Sequence, residues 1–82
     1  MTHAETIREV EARMSRSWQR YGAFASAHEA LGVALEEWNE LGMAVHANDL
    51  QAIAHEAMDL ASVCLRLALA CRGDDFAKRS VK

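Results

Sequence analysis

Four acidic residues fall into two pairs with the same internal spacing, Glu37 with Glu40 and Glu56 with Asp59. On a helix, residues three apart lie roughly 60° and about 4.5 Å from each other, so each pair presents its carboxylates on one face. The pairs are also mirrored about Ala47-Asn48-Asp49, which reads as a tight turn with Asn48 or Asp49 capping the helix that follows. With Asn48 as the centre, Glu40 lies eight residues before it and Glu56 eight after; Glu37 lies eleven before and Asp59 eleven after. In an antiparallel hairpin these are equal depths, which sets Glu40 opposite Glu56 and Glu37 opposite Asp59. Equal depth does not fix direction, so the spacing leaves open whether all four side chains face one groove.

The neighbours favour burial over a solvated face. Val33, Ala34 and Leu41 lie within a turn of Glu37, Met43 and Ala44 follow Glu40, Ala52, Ile53 and Leu60 surround Glu56, and Val63 follows Asp59. Surface glutamates are usually flanked by Lys or Arg at i±4; none of these four is. Partly desolvated carboxylates that converge repel one another and hold their protons more tightly, a cost that a hard cation removes. Mg²⁺ takes oxygen ligands and shares them with phosphates and water. In a chain with twelve Asp and Glu among 82 residues, either pair alone would read as chance. Two pairs, mirrored and set among apolar residues, point to a metal. A ferritin-like di-iron site wants Glu-x-x-His, and no Glu stands three residues before a histidine. His28, His46 and His55 do not share an i, i+4 face, which argues against zinc. His55 and Asp59 are i, i+4 partners, so His55 reads as a hydrogen-bond partner that orients Asp59.

The elements that must position these groups are helical. Thr2 with Glu5 has capping-box spacing and starts a helix over 3–21, with an apolar stripe of Ile7, Val10, Met14, Trp18 and Tyr21. Its other faces carry Arg8, Glu9, Arg13, Arg16 and Arg20, and Gly22 marks a break. Ser26 with Glu29 repeats the capping pattern and starts a helix over 27–46, whose apolar side is read as Leu31, Leu35, Trp38, Leu41 or Gly42, and Val45. A third helix spans 50–72, with Gly73 as its cap and a short tail over 74–82. It is apolar on most sides, which calls for burial on most sides. Two short helices of one chain hardly surround it, so a second copy is expected.

Composition sets the outer bounds. Sixteen alanines, 51% apolar residues and no proline suit one small all-α domain over 1–82 that completes its core as a homo-oligomer. A formal charge of −3 argues against a nucleic-acid polymer as partner. The apolar run from Leu60 to Cys71 is broken by Arg66 and falls short of the ~20 residues that span a bilayer. No leader pattern is visible, and Cys64 and Cys71, seven apart on one helix, read as buried free thiols of a cytoplasmic protein. There is neither a nucleophilic triad nor a Gly-rich phosphate loop; the glycines are scattered at 22, 32, 42 and 73.

Glu37-Trp38-Asn39-Glu40, a fifteen-residue interval, then Glu56-Ala57-Met58-Asp59 resembles the E-x-x-E … E-x-x-D signature of the MazG-like all-α nucleoside triphosphate pyrophosphohydrolases. The resemblance spans about residues 27–74 and extends to Leu60, the apolar run and Gly73-Asp74. It implies a Mg²⁺-dependent enzyme, with Mn²⁺ able to substitute, that converts an NTP or dNTP to the monophosphate and pyrophosphate, often to clear unwanted nucleotides. By the same resemblance Glu37, Glu40, Glu56 and Asp59 are metal ligands, Glu37 or Glu40 acts on the attacking water, and the assembly is a homodimer or homotetramer. His55 stands where family members often carry a further acid, and the family's longer C-terminal helix is truncated beyond Gly73. Arg66, Lys78 and Arg79 are the candidates for triphosphate charge, and Trp18 for contact with the base, although a Trp on an apolar stripe is more often core. The rival reading is a non-catalytic helical interaction module that keeps the fold and a vestigial metal site.

Overall fold

The computed structural model describes residues 1–77. Lys78 and Arg79 lie outside the described residues. Three α-helices make up the ordered elements, α1 (His3–Tyr21), α2 (Ala27–His46) and α3 (Leu50–Gly73), with no strand among the described residues. Each start has a side-chain cap. Thr2 and Glu5 form a complete capping box, the Ser26 hydroxyl accepts from the Glu29 N–H, and the Asp49 carboxylate accepts from the Ala52 N–H. The second box is only half formed, because Glu29 reaches back to the N–H of Ala25 instead of that of Ser26. Asn48 takes a left-handed φ of 57° in the two-helix turn, as a short amide side chain tolerates. At the end of α3 the left-handed position falls on Asp74 and not on Gly73, which stays helical.

Helix α3 is the shared surface. Among the described residues, α1 and α2 each pack on α3 and not on each other. Helix α2 runs antiparallel to α3 across the short turn. Helix α1 runs parallel to it, since Arg13 meets His55 and Asp59 while Gly22 meets Arg66 further along. The result is an elongated body, 49 × 26 × 20 Å, that encloses little. The buried apolar residues among those described are Phe24, Ala30, Ala44, Val63 and Ala70. Phe24, from the α1–α2 connection, packs with Ala30 and Val63, and Phe76 closes over them. The Phe24 carbonyl accepts from the Ala77 N–H at 2.8 Å. The Arg66 guanidinium covers its ring at 4.1 Å and donates to the Gly22 carbonyl at 2.7 Å.

The faces differ from those expected. On α2 the seam against α3 is Ala30, Val33, Ala34, Glu37, Leu41 and Ala44, a run at 3.5-residue spacing, while Leu31, Leu35, Trp38 and Val45 are all more than half exposed. On α1 only Val10 and Met14 of the apolar stripe are half-buried; Ile7, Trp18 and Tyr21 are exposed. Trp18 is therefore not a core residue of this chain. Cys64 and Cys71 are exposed as well, against the expectation of buried thiols. The physical reason is size: small alanines let two helices approach closely, so the alanine-lined face takes the intramolecular seam and the bulkier stripe is left outside.

The α1–α2 connection depends on Gly22, whose φ of 73° and ψ of −161° lie in a region essentially closed to residues with a Cβ. Nothing crowds a Cβ there, so the cost of a substitution is backbone strain alone. Gly22→Ala is expected to lower stability by about 1–3 kcal/mol, measured by urea unfolding. An unchanged midpoint would contradict this account of the connection.

Candidate metal centre

The seam places acids where a helix pair normally keeps apolar residues. Glu37 lies between Ala34 and Leu41 on the α2 side, and Glu56 and Asp59 occupy half-buried positions of α3, about two turns and one turn respectively before buried Val63. Carboxylate oxygens of Glu37, Glu40 and Glu56 all lie within 4.8 Å of one another. Those of Asp59 and Glu56 form a second set with a His55 nitrogen, within the same limit. Glu56 thus belongs to both sets, and Asp59 stands at the edge of the first. The structure brings three of the four acids together and holds the fourth beside them.

Burial is uneven within the group. Glu40 is exposed, whereas Glu37, Glu56 and Asp59 are half-buried. One oxygen each of Glu37 and Glu56 is shut off from solvent with no hydrogen-bond partner. A buried carboxylate oxygen without a donor is costly. Burial pushes the Glu37 carboxyl up to about 6, with the charges of Glu40, Asp59, Glu56 and Glu36 adding to the effect. Burial likewise raises Glu56; Glu40 and Asp59 push the same way, and His55 works against them.

Asp59 is the acid with a counter-charge. Arg13 of α1 donates from Nη1 to Asp59 Oδ1 at 2.8 Å and to the His55 carbonyl at 2.7 Å, and from Nε to Glu9 Oε2 at 2.9 Å. Its side chain is 13% exposed. Burial opposes the Arg13 charge, but its bonds to Glu9 and Asp59 outweigh that and hold its pKa above the ordinary value. His55, read from sequence as the partner of Asp59, places Nε2 3.5 Å from Asp59 Oδ2, close but long for a hydrogen bond.

An open groove of about 770 Å³ runs beside the acids, between α1 and α2 over α3. Arg13, Arg16 and Arg20 line one bank, and Glu36, Glu37 and Asp59 lie among the residues facing them; Glu40 and Glu56 do not line it. The candidates for substrate charge divide accordingly. Arg66 reaches the groove but is committed to Gly22 and Phe24. Burial lowers its pKa, with Glu29 partly offsetting the effect. Trp18 opens onto a second, smaller cleft of about 310 Å³ that shares Ala23, Phe24 and Arg66 with the first. The arginine bank was missed in the sequence as a site feature, although 13, 16 and 20 sit at i+3 and i+4 on one face of α1.

The two sets are groups that could hold a small divalent cation. Ligand oxygens around an octahedral Mg²⁺ at about 2.0–2.1 Å lie roughly 3–4 Å apart; those of the first three acids lie within 4.8 Å of one another, and the two orphaned oxygens are acceptors without donors. Comparison with protein-family models, with curated proteins and with solved structures gives no match. No helix among the described residues is long and apolar enough to cross a membrane.

The charge on Glu37 carries a pH signature. Its folded value of about 6 exceeds the ordinary 4.5, so the folded chain binds the proton more tightly than the unfolded one. By linkage this carboxylate costs the metal-free fold stability above pH 6, and the cost fades as the pH falls towards 4.5. Glu37→Gln is therefore expected to stabilise the metal-free protein at pH 7, by on the order of 1 kcal/mol once solvent screening is allowed for. The gain should vanish near pH 4.5. Thermal unfolding across this range checks it, and a difference between variant and parent that stays flat with pH would contradict it.

Proposed function

We propose that the chain is a Mg²⁺-dependent nucleoside triphosphate pyrophosphohydrolase of the MazG-like kind, converting an NTP or dNTP to the monophosphate and pyrophosphate. The observation that carries this reading is the convergence of Glu37, Glu40 and Glu56 with two solvent-excluded oxygens that lack donors. Mutually repelling acids kept inside a helix seam make little sense as stabilising elements; as a cation cradle they do. When bound, Mg²⁺ (or Mn²⁺ in its place) would neutralise the acids and polarise the phosphoryl group under attack. Glu37, Glu40, Glu56 and Asp59 would hold it, and His55 would support Asp59.

In this reading water attacks one phosphorus of the triphosphate, the bond to the departing pyrophosphate breaks, and the water proton passes to Glu37 or Glu40. Glu37 is the better placed of the two, because it lies in the groove wall as well as in the acid set. Arg16 and Arg20 supply positive charge along the opposite bank for a polyphosphate chain, and a cleft of this volume is of the size that takes a nucleotide.

The exposed stripe of Leu31, Leu35, Trp38 and Val45 supports self-association as a homodimer or homotetramer, since it lies beside the acidic seam and nothing among the described residues covers it. Leu35→Lys with Trp38→Glu should shift the protein towards monomer in light scattering. A parent protein already monomeric at high concentration would remove this part of the proposal.

A second reading also has an observation behind it. Arg13 gives Asp59 a counter-charge without any metal, as a non-catalytic module retaining the fold would need. The two are separated by incubation with a panel of NTPs and dNTPs plus Mg²⁺, with pyrophosphate release as readout. For the enzyme, release is expected to fall at least about a hundredfold in Glu40→Ala and in Asp59→Asn, the order of loss typical for a group acting on the reacting charge. Silence across the panel, with a thermal midpoint raised by Mg²⁺, would favour the module.

A further inference from the structure

Arg13 is held at three points, by Glu9, by the His55 carbonyl and by Asp59, and joins α1 to α3 through a nearly buried guanidinium. It cannot lose its charge by deprotonation, so any change in its relation to Asp59 must be a movement. Its position also explains the division of the acids. Glu37, Glu40 and Glu56 cluster, while Asp59, bonded to Arg13, is grouped with Glu56 and His55 and stands outside that cluster. A divalent cation drawn to the four acids would meet a positive charge already seated on one of them.

We propose that Arg13 is the resident counter-ion of Asp59 and competes with the divalent cation for it, so that filling the metal centre releases Arg13 from Asp59. The inference rests on the metal-centre reading above. Release does not strand the side chain, because its Nε remains bonded to Glu9, which Arg16 also holds at 3.2 Å. Arg13 and Arg16 both line the groove. Nη1 keeps its bond to the His55 carbonyl, and the donor that Asp59 gives up would add a second positive charge beside that of Arg16 at the place where an anionic ligand would lie. Cation and anion would assist each other: the cation takes Asp59, and the anion takes the arginine that Asp59 gives up. Such coupling is reciprocal by linkage.

The test is titration with Mn²⁺ alone, in the absence of nucleotide, of the parent protein and of Arg13→Gln. The variant is expected to bind Mn²⁺ about fivefold or more tightly, within the usual range of coupling between linked sites, and to unfold at lower temperature when metal-free. Equal or weaker binding by the variant would overturn the competition and leave the metal centre standing. Failure of both proteins to bind Mn²⁺ or Mg²⁺ would overturn the metal centre and the inference with it. If Arg13→Gln does not fold, the parent alone decides: the side-chain Nε–H resonance of Arg13 should shift on saturation with diamagnetic Mg²⁺. A resonance that stays in place at saturation would overturn the proposal.

Discussion

Repulsion among carboxylates in the α2–α3 seam is the constraint around which the rest is arranged. A seam of 3.5-residue spacing ordinarily holds apolar side chains at every position. Here Glu37 interrupts Ala30, Val33, Ala34, Leu41 and Ala44, and Glu56 and Asp59 lie across from it in the run that leads to Val63. Their cost shows as the raised proton affinity of Glu37 and Glu56. Arg13 offsets part of it at one end, and the closely packed alanines keep the helices near enough for the acids to feel one another.

Because α3 must serve both neighbours, the placement of α1 is tied to the same acids. The contact that joins α1 to the middle of α3 runs through Arg13 to Asp59 and the His55 carbonyl. Further along, Arg66 ties the Gly22 carbonyl and the Phe24 ring to α3, and the Phe24 carbonyl receives the Ala77 N–H. Two arginines thus tie α3 to the preceding part of the chain, with different duties. One neutralises an acid of the site; the other keeps the inter-helix connection in shape.

The three helices were legible because their signals are local. Thr2 with Glu5, Ser26 with Glu29, Asp49 before Ala52 and Gly22 each act within a few residues of themselves. The mirrored depth of the acid pairs was legible too, since an antiparallel hairpin converts equal distance from Asn48 into adjacency. Which face of α2 meets α3 was not legible from hydrophobicity. The strongest stripe, through Leu31, Leu35, Trp38 and Val45, points outward, and the true seam is built on alanine, whose pattern is easily read as mere helix propensity. Arg13 was invisible for another reason: its partner lies 46 residues away, and nothing near position 13 announces it.

The two tryptophans report on different parts of this arrangement. Trp38 follows Glu37 directly and stands 60% exposed on the outer stripe of α2, while Trp18 stands 50% exposed on α1 above the smaller cleft with Met14 and Leu69. An indole's emission moves to shorter wavelength as water leaves it, so each ring is an optical probe of its own neighbourhood. A protein keeping only Trp38 would register anything that settles on the outer side of the hairpin, and one keeping only Trp18 the approach of α1 to α3. Nature has in effect labelled the chain at two independently readable positions.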